Sequence, residues 1–151
     1  MPTTNGLVFE QRGEWAAAVR QRVPPAMGGI RIVEIREWDG LLAALRDAPT
    51  SIIAVDAAYI RPTSWMARWP AIVEGYPLAR AVVLAQHHDL AAEAALRDVG
   101  IVEVIRGRGD LDCMVALLAR QRVRYPEGPI SWRSTILRRL PWGSVDVADV
   151  G

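Results

Sequence analysis

The sequence has no lysine: all 18 of its basic residues are arginine. Every mechanism that needs a lysine amine is excluded, from Schiff-base catalysis to the lysine of a Walker-type phosphate loop. Cysteine is nearly absent too. Cys113, the single one, cannot form an internal disulfide, and its place beside Met114 and Val115 in an apolar helical pattern predicts a buried, inert thiol. No window approaches the roughly eighteen uninterrupted apolar residues of a spanning helix. The opening "MPTTNG" has no basic patch followed by an apolar stretch. A cytoplasmic protein without membrane contact is expected. The formal charge of only +1 removes any global pull toward nucleic acid or an anionic surface.

What is present is apolar residues at about half of the composition, 51%, in a chain of 151. That is enough for one respectable core, with no case for whole-chain disorder. Short apolar runs alternate with helical spacing. "GLVF" (6–9) reads as a strand, followed by Trp15, Ala18, Val19 and Val23 at helical intervals and the break "PPAMGG" (24–29). "IRIVEI" (30–35) is a second strand, and Trp38, Leu41, Leu42 and Leu45 mark the helix behind it. "SIIAV" (51–55) leads into one helical stretch with Trp65, Trp69, Ile72 and Val73, in which Pro70 must start or kink a helix. "RAVVLA" (80–85) is a fourth strand, with Asp89 placed to cap a helix that runs to Val99 and stops at Gly100. "IVEVI" (101–105) is the fifth, before a helix that places Leu111, Met114, Val115 and Leu118 on one face. Five strand-helix units predict an open parallel α/β sheet with helices on both faces. After residue 124 the character changes: "PEGP" is a linker, and Trp132, Ile136 and Leu140 fall at i, i+4, i+8 of a short amphipathic tail. A domain over 1–124 and a C-terminal segment over 125–151 are expected.

This order and spacing over residues 7 to about 124 resembles the receiver domain of bacterial response regulators. "IRIVEIREWDGLLAALRDAPTSIIAVD" is similar to a receiver's second strand, second helix and third strand, ending at the phosphoacceptor position, here Asp56. "PLARAVVLAQ" and "DVGIVEVIRG" stand where the fourth and fifth strands would. The resemblance implies a flavodoxin-like, doubly wound sheet of order 2-1-3-4-5. It also implies a site from which most parts are missing. The acidic pair that holds magnesium in the family corresponds to Glu10 and Gln11, one carboxylate lost and the other a methylene longer. The hydroxyl residue ending the fourth strand is replaced by Ala85 or Gln86, and the lysine ending the fifth falls at Arg106, whose planar fork is no substitute for a compact ammonium. The fifth strand also lacks the family's aromatic switch residue. Asp56 is therefore expected to keep its place at the switch point without its chemistry, satisfying loop N–H groups or pairing with Arg106.

Other chemistry has little support in the residues. His87 and His88 are adjacent and so point opposite ways from an extended segment, poorly disposed to share a metal. "EQRGEW" lacks the Ser/Thr/Gly-rich loop of a flavin site, and no Asp-x-His-x-x-Gly loop for a corrinoid occurs. Trp15 and Trp38 lie on apolar stripes and read as core. The expectation is a non-enzymatic, degenerate receiver-like signalling domain that serves as a protein-interaction module, with no cofactor. By the resemblance, its partner or second copy would bind the face of the fourth helix, fifth strand and fifth helix, with Arg97, Asp98, Arg120 and Arg124. Trp132, Ile136 and Leu140 are further docking candidates, for a partner or, the favoured choice, for the domain itself; nucleic acid is not expected, because the basic tail is short and no reading motif accompanies it. Two alternatives stand beside this one: a true phosphoacceptor with an altered magnesium site of Glu10, Asp56 and Arg106, and a small-ligand or nucleic-acid binder on a flavodoxin-like fold.

Overall fold

The computed structural model describes residues 4–60, 63–86 and 90–125. Five strands, β1 Asn5–Phe9, β2 Arg31–Ile35, β3 Ile52–Asp56, β4 Arg80–Ala85 and β5 Ile101–Arg106, form one parallel sheet in the order β2-β1-β3-β4-β5. The helices are α1 Glu14–Arg22, α2 Trp38–Asp47, α3 Ala57–Ile60, α4 Thr63–Gly75, α5 Leu90–Asp98 and α6 Leu111–Arg124. No described helix is long and apolar enough to cross a membrane.

Strand alternation sorts the core into two layers. Leu7, Phe9, Ile53, Val55, Ala81 and Val83 point to one side, where Leu41 and Leu45 of α2, Trp69 and Ile72 of α4, and Leu96 of α5 cover them. Val8, Ile52, Ala54, Val82 and Leu84 point to the other, under Trp15, Ala16 and Val19 of α1 and Leu111, Met114 and Leu118 of α6. Because both faces are covered, the central strands read as near-continuous apolar runs, as the sheet's parallel connections require. Gly100, at φ +96°, turns the chain from α5 into β5, a left-handed conformation that glycine adopts without penalty.

Several details depart from the sequence reading. Pro70 does not: it lies inside α4, the second of the two settings expected for it. On α6 the buried positions are Leu111, Met114, Leu118 and Gln121. With that phase Val115 sits at the margin and Cys113 is exposed, not buried. Trp15 is core as expected, whereas Trp38 is only half-buried, edge-on to Phe9 with the Arg68 guanidinium over its ring. His87, His88, Asp89 and the tail with Trp132, Ile136 and Leu140 lie outside the described residues.

Candidate functional site

β1 and β3 are parallel neighbours whose connections run to opposite sides, so the strand order reverses between them, and a crevice opens beyond their carboxyl ends. An open cleft of about 720 Å³ occupies this point. Glu10, Gln11, Arg12 and Trp15 line one wall, and Asp56, Ala57, Ala58, Ala85 and Gln86 the other. Glu10, Gln11 and Asp56 are thus brought together on one cleft.

Their hydrogen bonds decide what they can do. α1 begins behind Gly13, which stands in the N-cap position at φ +77° and has no side chain with which to cap. Its first-turn N–H groups need acceptors from elsewhere. Glu10 supplies both: Oε2 accepts from Trp15 N–H at 2.9 Å and Oε1 from Ala16 N–H at 2.6 Å. The carboxylate is 1% exposed and sits at the positive end of the helix. Gln11 is exposed, with Nε2 donating weakly to the Arg36 carbonyl at 3.4 Å. Asp56 is half-buried; its Oδ1 accepts from Ala58 N–H at 3.1 Å, an Asx turn that starts α3. No described cation lies within ion-pair distance of it.

Arg106 is elsewhere. Its guanidinium pairs with Glu93 of α5, which also accepts from Arg97 Nη2 at 3.0 Å and Nε at 3.3 Å. Arg97 in turn lies 3.7 Å from Glu103 on β5. Hydrogen bonds from Arg97 and then Arg106, with the charges of both, hold the Glu93 carboxyl below its ordinary range. Of the two expected settings of Asp56, the bond to a loop N–H forms, while Arg106 pairs with Glu93 instead, because α5 lies against β5 and presents a carboxylate there. Magnesium, which the receiver resemblance would bring, does not fit this donor set: one carboxylate is spent on a helix terminus, its neighbour is a neutral amide, and Asp56 has one oxygen engaged.

The sequence reading missed two roles. The signal for Glu10 as a cap was the glycine where Ser, Thr, Asp or Asn would normally stand. The signal for Gln121 was its place on the buried stripe of α6. There its Nε2 donates to the Thr50 carbonyl at 2.8 Å and the Leu78 carbonyl at 2.7 Å, tying the helix to the loops that enter β3 and β4.

No protein-family model matches the chain, and no curated protein does. Solved structures do. A response regulator from Thermotoga maritima superposes with a TM-score of 0.64 at 17% identity, over 79% of this chain and 97% of that one. This chain has a receiver-like fold. A CheY-like protein (TadZ) from Pseudomonas aeruginosa matches the receiver-like domain with a TM-score of 0.61 at 16% identity, over 77% and 93% of the two chains. A putative pilus assembly protein (CpaE) from Burkholderia thailandensis gives 0.59 at 16%, over 78% and 99%. At such identities the likeness establishes the fold alone.

Proposed function

We propose that this receiver-like domain is a non-enzymatic, degenerate signalling domain that works in the cytoplasm as a protein-interaction module and needs no cofactor. The observation that carries the reading is the double commitment of Glu10: to serve a metal, its carboxylate would have to leave the N–H groups of Trp15 and Ala16 buried and unpaired. Arg106, engaged by Glu93, is a second part withdrawn from Asp56. The structural neighbours include a response regulator and pilus assembly proteins, so the fold serves more than one use and the choice falls to the site residues. The face of α5, β5 and α6, with Arg97, Asp98, Arg120 and Arg124, is the partner or self-association surface that the resemblance suggests.

Incubation with acetyl phosphate and magnesium tests the reading. The expected result is no added phosphate by intact mass and no change in tryptophan fluorescence with millimolar magnesium. A stoichiometric phosphate adduct that Asp56→Asn abolishes would overturn it in favour of a phosphoacceptor with an altered metal site. A small-ligand or nucleic-acid binder would instead announce itself by an ultraviolet-absorbing ligand that co-purifies with the protein.

A further inference from the structure

The two sides of α6 differ in how their charges are satisfied. Toward α5 and β5, Arg106, Glu93, Arg97 and Glu103 form a closed chain of ion pairs within the domain. Toward α1, Arg22 pairs with Asp112 at 3.0 Å and Arg108 lies 3.5 Å from Glu14, but the arginines around the following corner are not paired in this way. Pro24 and Pro25 end α1 and start a single 3₁₀ turn, Pro25–Met27, which sets Met27 between that corner and the last turns of α6. On one side of Met27 lies a hollow of about 410 Å³ lined by Arg20, Ile30 and Arg31 among others. On the other lies one of about 380 Å³ with Ala119, Arg122 and Val123. Met27 borders both, so the two hollows adjoin. Val123 is an 81% exposed apolar side chain on the lip of the second. None of Arg20, Arg31 and Arg122 has a described carboxylate within ion-pair distance; Arg20 spends one N–H on the Ile32 carbonyl at 3.2 Å.

We propose that the adjoining hollows, between the Pro25–Met27 turn and the C-terminal part of α6, form a groove that docks an acidic amphipathic peptide segment of a partner protein. The proposal rests on the interaction-module reading and gives it a docking surface distinct from the α5, β5 and α6 face, with the partner chemistry that fits it. An apolar floor with unneutralised arginines at its rim complements apolar anchors flanked by Asp or Glu. The same chemistry argues against the other occupants. A second copy meeting groove to groove would set arginine against arginine, since an isologous contact repeats the same patch. The chain's own segment 131–140 brings Arg133, Arg138 and Arg139 with its apolar stripe. Nucleic acid would want aromatic stacking surfaces, and no aromatic residue lines either hollow.

The test uses the full chain and a fluorescein-labelled amphipathic peptide of about 16 residues, with leucine at i, i+4, i+7 and i+11, a glutamate beside each leucine, and alanine or glutamine elsewhere. Saturable binding is expected by anisotropy, weakened by added salt, with hydrogen-exchange protection at 24–32 and 119–124. Arg122→Glu and Val123→Glu should each weaken it about tenfold, while melting temperature stays unchanged because both side chains reach solvent. Lack of saturable binding up to millimolar peptide would overturn the proposal. So would affinity indifferent to both substitutions, a footprint on 90–106 instead, or protection of the groove only by a duplex oligonucleotide or phosphatidylglycerol vesicles. The phosphate-adduct measurement is independent. An adduct on Asp56 sinks the degenerate-site reading, whereas a missing footprint without an adduct sinks only the groove.

Discussion

Glu10 and Asp56 stand at the carboxyl ends of neighbouring parallel strands, open onto the same cleft, and have opposite circumstances. Glu10 is sealed, both oxygens saturated by the first turn of α1. Asp56 is half-open, with one oxygen in a local turn. The difference arises from the next few residues of each strand. After β1 the chain enters a helix whose cap is a glycine, so a carboxylate must be lent from the strand; after β3 the helix starts at once and the aspartate caps it locally. Position in a fold therefore does not decide a carboxylate's role. The donors that the following segment leaves unpaired decide it.

The contrast breaks most sharply at Glu10. Glu10→Ala should cost about 2–3 kcal/mol in urea unfolding, because two buried N–H groups lose a charged acceptor. A loss below about 0.5 kcal/mol would mean that water or another group replaces the cap. Next in size is Gln121→Leu, expected to cost about 1–3 kcal/mol by leaving the Thr50 and Leu78 carbonyls without their donor. An unchanged denaturation midpoint would show that these carbonyls find other partners.

A smaller effect is expected on the acid side. The Glu93 carboxyl is lower in the folded protein than the free value of about 4.3, so its contribution is complete above that value and is lost as pH falls through the folded one. Glu93→Gln should therefore lower the neutral part of a melting-temperature profile a little and leave the acid end, where the carboxyl is protonated in any case, unchanged, so that the acid limb flattens. An identical acid limb in both proteins would contradict the assigned pairing with Arg97 and Arg106. The smallest effect is reserved for Asp56→Asn. Asparagine keeps an Oδ1 acceptor for Ala58 N–H, so stability should stay within about 1 kcal/mol. If Asp56→Asn cost as much as Glu10→Ala, the two carboxylates would not differ as described.

The sheet was legible because its information is local. Apolar runs of period two and helical stripes follow directly from the chain, and five such units leave few arrangements open. The strand order came from the likeness to receivers, whose spacing these units share. The site was legible as a place, with Glu10, Gln11, Asp56, Ala85 and Gln86 all on the cleft. Its interactions were not.

The sequence by itself determined the alternation of elements, the exclusion of lysine chemistry, and the gathering of those residues at one edge of the sheet. Tertiary structure decided who meets whom. Arg106 bonds to Glu93, and Gln121 to the carbonyl of Thr50, 71 residues away in the chain. Tertiary packing likewise set the rotation of α6 that exposes Cys113 and buries Gln121. Each residue turns a helix by about 100°, so whether a neighbour of a buried leucine faces the sheet or the solvent depends on how the helix lies against the strands. Periodicity locates a helix's stripe to within a residue; only the packed sheet settles its margin, and the margin is where Val115 stands.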